Sequence, residues 1–328
     1  MRWHVDPWNP AYGTGLEPAE ESPAARSSAQ LDADVEVPAD EWRPLVAPAD
    51  IRSPRIVLLV DGVRRNDAWM WSTEPDGDSH PGLAASYAAG VVRCDLRSGA
   101  AAVAGTRVLR GLFTSSPTAT DIQCGSIRYA LRRSTATDPA KLTHAVQPAL
   151  TALEVELAQE ARASTPDGDD DLLVVDGPLR GRAHLPRALG YVKTHRVEYL
   201  SRPLSTVVAS LAAGQRCPVF LLGTSWHRFT WYLRLPGPPG APWSGIVRVE
   251  CSVDWPVAEA IALADLSVVT LPRFASTAYK DPRAPQNLVP IAGLERRLRG
   301  MLGDARLLHR TLTLAAARSA PAVVTASA

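Results

Sequence analysis

The chain alternates apolar runs with polar, glycine-rich breaks, and two of the runs end alike. "IVLLV" at 56–60 leads into Asp61 and Gly62, and "LLVV" at 172–175 leads into Asp176 and Gly177. Continuous β-branched and leucine runs of this length predict strands buried on both faces. Between them, "SYAAGVVRCDLRSGAAAVAGTRVLRGL" at 86–112 predicts two or three further strands in a β-meander. The segment 139–162 carries Leu142, Val146, Ala149, Leu150, Leu153 and Leu157 at helical spacing. Later, "LGYVKTHRVEYL" starts as a strand, "PLSTVVASLAAG" is a helix, and "CPVFLLGT", "FTWYLRL" and "GIVRVECS" are strands. "PGPPGAPW" reads as a hairpin loop, "PVAEAIALADLSVVTL" as helical at its start, and 292–317 as one long arginine-rich helix. The order predicts an α/β fold with a mixed sheet flanked by helices rather than a regular βαβ repeat.

Composition narrows the class. Apolar residues make up 46% and charged residues 21% of 328, as in a soluble globular protein, and the net charge of +1 gives no global basic field. Any surface for an anionic polymer must therefore be local. Arginine supplies every side-chain cation except Lys141, Lys193 and Lys280. Cys94, Cys124, Cys217 and Cys251 lack C-x-x-C spacing, which argues against a zinc site or disulfide framework. With no apolar signal core and no membrane-spanning run, the expected setting is cytoplasmic. Residues 1–50 read as an N-terminal segment with an extended acidic and proline-rich arm, 51–318 as the main domain, and 319–328 as a tail. The aromatic "WHVDPWNPAYG" near the start is a candidate docking segment.

The chemistry lies at the two strand ends. A carboxylate at the tip of a buried strand is costly unless paired, and a divalent cation removes that cost. Asp61 and Asp176 brought onto adjacent strands would offer hard oxygen ligands for Mn²⁺ or Mg²⁺. The helix before the second strand offers a third carboxylate. Glu160 falls nearest the middle of the apolar stripe, with Glu154 and Glu156 on its flanks, where a side chain can reach past a sheet edge. Such a site suits two-metal phosphodiester hydrolysis, which needs no nucleophilic side chain. G-x-S-x-G, H-E-x-x-H and P-loop motifs are absent from the sequence.

These residues resemble the NurA family of DNA-end-processing nucleases. The likeness runs through "VDPWNPAYG", "VLLVDGVRR", "LLVVDGPLRGR", "LGYVKTHRVEYL" and "PQNLVPIAGLERRLRGMLGD", in that order. It implies an RNase H-like core with a C-terminal helical portion. The implied enzyme is a Mn²⁺- or Mg²⁺-dependent deoxyribonuclease, endo- and/or 5′-3′ exo-acting, in repair or defence. The implied partners are DNA, a hexameric HerA-type translocase and a second copy of the chain. By resemblance Asp61, Glu154 and Asp176 hold metal, with Glu156 as the fallback for Glu154. Lys193 or Tyr199 takes the place of a polar residue near the metals. Glu295 stands where the family commonly has a histidine; it is either a ligand or the helical partner of Arg299, and His309 is not its replacement.

Arg64 and Arg65 follow the first aspartate, and Arg180, Arg182 and Arg187 the second. If both loops open at one edge, they form a phosphate-binding rim. Two other readings stand beside the nuclease. One is a catalytically inactive adaptor of the same fold that clamps the translocase. The other is an actin-like nucleotide-binding protein, for which the glycine-rich phosphate loops are missing.

Overall fold

The computed structural model describes residues 1–7, 29–164, 170–195, 197–238 and 240–318. The first apolar run grows into a strand of 18 residues, β3 (Ile56–Thr73), which pairs antiparallel along its length with β4 (Ser79–Asp95). β4 pairs in turn with β5 (Ala100–Thr114), completing the expected meander. Asp138 caps the helix α1 (Pro139–Ala163) by accepting a bond from the Ala140 N–H. The chain then returns as β8 (Asp171–Asp176), parallel to β3 on its other side, followed by β9 (Ala188–Val192), parallel to β8. The central order β5-β4-β3-β8-β9 is that of an RNase H-like core.

Further strands extend both edges into a mixed sheet of 12 strands. β10 (Phe220–Gly223), β11 (His227–Arg234) and β12 (Ile246–Ser252) continue antiparallel from β9, and β2 (Gln30–Asp32) closes that side. β6 (Ile122–Cys124) and β7 (Ile127–Arg133) close the other, and β1 (Arg2–Val5) pairs with the far end of β3.

Alternation along the strands builds two cores. Ile56, Leu58, Val60, Leu173 and Val175 pack under Leu142, Val146, Leu150, Leu153 and Leu157 of α1. Val57, Leu59, Val63, Leu172 and Val174 face the other way. There they meet α2 (Arg202–Ala209), α3 (Val257–Thr270) and α4 (Val289–Met301). The single C-terminal helix expected over 292–317 is two helices: α4 ends near Met301, and α5 (Ala305–Arg318) begins after Gly303, whose φ of 80° breaks the helical run.

The part of the arm described, 29–50, is anchored rather than extended. β2 pairs with β10, Trp42 is buried 5.6 Å from the Phe220 ring, and Glu36 binds Arg216. Residues 8–13 of the aromatic docking segment and the tail 319–328 lie outside the described residues. No helix among the described residues is long and apolar enough to cross a membrane.

Candidate metal and phosphate site

Asp61 is not at a turn. β3 continues straight through it because β4 supplies a partner, Gly90, opposite. The sheet edge is made instead by β8, which ends at Asp176. The last register pair between these parallel strands is Val60 with Val175, so Asp61 and Asp176 lie side by side one step beyond it. Neighbouring strands are about 4.8 Å apart. Both side chains share the parity of Leu59 and Val174, so both point to the face that carries α4.

The sequence also sets how close the helices come. A Cβ on Gly90 would lie 2.9 Å from Leu294, so glycine lets α4 settle against β4 and carry Glu295 to the cleft. On the opposite face a Cβ on Gly62 would sit 2.4 Å from Glu154 Oε1 and 2.7 Å from Leu150, so the Asp-Gly glycine is a contact surface for α1.

Two adjoining hollows of about 280 and 440 Å³ meet at Asp61, Gly62, Arg64, Asp176 and Lys193. The smaller adds Arg283, Glu295 and Arg299, and the larger adds Glu154, Arg182 and Gln147. Asp61 accepts a 2.7 Å bond from the Gly62 N–H. Burial, then repulsion from Asp176, pushes its carboxyl up to about 7. Burial also raises Asp176, against the pull of Lys193. Lys193, just past β9, donates to Asp176 Oδ2 at 2.7 Å and to Asn287 Oδ1 at 3.1 Å. Asp176 Oδ1 is buried and has no hydrogen-bond partner among the described residues.

The other two carboxylates are neutralised by arginine. Glu154, 3% exposed, is bonded by Arg182 Nη2. Burial lowers Arg182 to about 10, and the charge of Asp61 partly restores it. Glu295 accepts from Arg283 at 3.0 Å and from Arg299 at 2.8 Å, so it pairs along the helix, and it also lines the cleft. Its repulsion nonetheless reaches both aspartates. Among the described residues no group of three or more His, Cys, Asp or Glu side chains is gathered as a metal cage. The donor set fits a hard cation that takes two carboxylates from the protein and completes its sphere with water and substrate phosphate, the habit of Mg²⁺. The orphaned Asp176 oxygen is the observation that favours such an ion.

Several sequence expectations change. Glu154 belongs to the buried leucine stripe, on the sheet face opposite Asp61 and Asp176. Glu160 and Glu156 are exposed and pair with Arg107, because α1 sits with Leu150, Leu153 and Leu157 inward. Tyr199 lies in a separate cavity, with the Arg248 guanidinium 5.1 Å from its ring centroid. Of the five arginines, Arg64 and Arg182 line the cleft. Arg65 turns away to Asp67 and the Gly303 carbonyl. Arg187 binds the Asp171 carbonyl at the opposite end of β8, and Arg180 is exposed outside the lining. Sequence reading missed Asn287 and Arg283. A fully buried asparagine beside a proline-rich loop leaves no periodic signal. It missed Glu250 as well, a buried carboxylate that accepts a 2.6 Å bond from the Leu179 N–H and so fixes the loop after Asp176.

The fold and site together define an α/β protein with a pair of under-neutralised carboxylates at the tip of a parallel strand pair. No family model matches the chain, and no curated protein does. Among solved structures it is similar to Endonuclease V from Bacillus subtilis at 10% identity, over 81% of this chain and 88% of that one, with a TM-score of 0.36. It is also similar to the catalytic domain of human Endonuclease V at 18% identity, over 78% and 85%, again with a TM-score of 0.36. At these scores the likeness carries no argument, and the functional reading rests on the site.

Proposed function

We propose that this chain is a divalent-cation-dependent nuclease that hydrolyses DNA phosphodiester bonds at Asp61 and Asp176. The carrying observation is a buried pair of like carboxylates in which Asp176 Oδ1 has no hydrogen-bond partner among the described residues. Mn²⁺ or Mg²⁺ held by these two residues would polarise a phosphoryl oxygen and make a bound water acidic enough to attack. Lys193 fixes Asp176 and stands where it can face developing negative charge, and Asn287 orients the lysine. Arg64, Arg283 and Arg299 supply the phosphate-facing rim that a near-neutral protein otherwise lacks. A two-ion mechanism needs a third carboxylate. Glu295 is on the right face, and a phosphate competing for Arg283 and Arg299 would release it. The resemblance to NurA adds a HerA-type hexameric translocase and a second copy of the chain as partners.

The test is incubation of end-labelled linear DNA with Mn²⁺, with and without the translocase. Cleavage that EDTA and Asp61→Asn both abolish supports the reading; cleavage that survives Asp61→Asn sinks it. One observation favours the adaptor instead: Glu154 and Glu295 are both tied to arginine. An adaptor would bind the translocase and cut nothing under any cation.

A further inference from the structure

A second cavity, of about 330 Å³, begins two residues beyond Lys193 and plays no part in the cation site. His195, Tyr232 and Trp243 line it, with Glu198, Tyr199 and Ser205. The three rings form a cluster: His195 lies 5.3 Å from Trp243 and 5.7 Å from Tyr232, and Tyr232 meets Trp243 edge-on at 5.5 Å. Trp243 comes from the loop expected to be a hairpin turn, so an indole is held over the sheet where a proline- and glycine-rich loop would otherwise be bare.

The wall of this cavity is bonded to the cation site. Gln286 donates to the Lys193 carbonyl at 3.3 Å and to the Ile246 carbonyl at 3.1 Å, and His195 Nε2 donates to that same Ile246 carbonyl at 2.9 Å. The neighbouring residue, Asn287, holds Lys193 Nζ. Lys193 and Thr194 line the larger hollow and His195 the aromatic pocket, so consecutive residues wall the two cavities. Aromatic faces accept any base by stacking, while Glu198, His195 and Ser205 can meet the polar edge of a planar heterocycle. Behind Tyr199, Arg248 shares Glu250 with Arg228.

We infer that this pocket receives an unpaired nucleobase next to the phosphate held at Asp61 and Asp176. The inference rests on the nuclease reading and deepens it: the substrate strand is single-stranded, or frayed, beside the cut. A base inside a duplex cannot enter, so the pocket selects ends, flaps and melted strands over continuous double helix.

The test uses the full-length protein and a fluorescent 12-nucleotide single strand in Ca²⁺, with a relaxed, covalently closed circular duplex as comparison and a strand bearing one abasic site at the nucleotide beside the cut. Trp243→Ala should weaken single-strand binding by about tenfold and leave duplex binding within about twofold. Trp243→Phe should restore most of the loss. The wild type should bind the abasic strand less well than the intact one, and Trp243→Ala should no longer distinguish them. Retained duplex binding and rescue by Trp243→Phe show that the variant is folded. Equal loss on single strand and duplex, or discrimination that persists in Trp243→Ala, overturns the pocket. If the wild type cleaves DNA but ignores the abasic site, the pocket fails and the nuclease stands. If it neither binds nor cuts DNA, both fall.

Discussion

Two buried acid pairs in this molecule are treated in opposite ways. Glu36 and Asp265 come from distant parts of the chain and share one arginine. Arg216, 2% exposed, donates to Glu36 at 2.7 and 2.8 Å and to Asp265 at 2.8 Å. The Val219 N–H adds a further bond to Glu36. That pair is a staple: it ties residues 29–50 to the sheet and to α3. Asp61 and Asp176 also come from distant parts of the chain, yet of the two Lys193 bonds only Asp176, and Asp176 Oδ1 is left without a hydrogen-bond partner among the described residues. The same chemistry, two carboxylates under a sheet, becomes structure in one place and an open valence in the other. What separates them is whether the fold's own cation bonds both carboxylates or one.

That contrast can be broken in several ways. The largest effect belongs to the open pair. Asp61→Asn and Asp176→Asn should each lower Mn²⁺-dependent cleavage by about a thousandfold or more, because the ion's several kcal/mol of transition-state stabilisation is lost. Wild-type activity in either variant would remove the site. Next, Arg216→Met should destabilise the protein by about 3–5 kcal/mol in chemical denaturation, since it strands two buried carboxylates. The folded fraction should keep its Mn²⁺ affinity. A mild Arg216→Met phenotype would erase the distinction between staple and site.

The third effect is on stability in the absence of divalent cations. Asp61 titrates near 7 in the folded chain against 3.8 ordinarily. The folded state therefore binds more protons in that window, and stability should fall as pH rises from about 4 to 7. The slope belongs to the aspartate pair together. At pH 8 without metal, Asp61→Asn should be more stable than wild type by about 1–4 kcal/mol, and its pH slope should be flatter. A destabilised variant would mean that Asp61 is satisfied after all. The smallest effect separates the two ends of β8. Lys193→Met should slow cleavage about 10–100-fold, while Arg187→Ala, at the far end, should leave it within about twofold. If Arg187→Ala slows cleavage as much as Lys193→Met, the phosphate rim has been placed at the wrong edge.

Much of this was legible from pattern alone. The two apolar runs predict adjacent buried strands, and the matching "VVD" and "LVD" endings fall in one register because parallel pairing sets like positions side by side. The α1 stripe, the meander and the later hairpin follow from periodicity. What was illegible is what depends on facing. The rotation of α1 about its axis decides that Glu154 is inward and Glu160 outward, and several glutamates at near-helical spacing do not fix that angle. The length of β3 is likewise set by β4, not by its own apolar run, so Asp61, expected at a strand tip, lies inside β3. Arg187 and Arg182 share a loop, but the loop returns to the start of β9 and carries Arg187 to the opposite sheet edge.

The central claim is that Asp61 and Asp176 hold a divalent cation for which the chain has no substitute. Titrating the metal-free protein with Mn²⁺ at pH 7 while following proton release tests it most directly. Because burial and Asp176 raise Asp61 to about 7, wild type should release protons on binding the ion, and Asp61→Asn should bind weakly and release fewer. Mn²⁺ binding with the same affinity and proton count in Asp61→Asn, or no binding by the wild type, would contradict it.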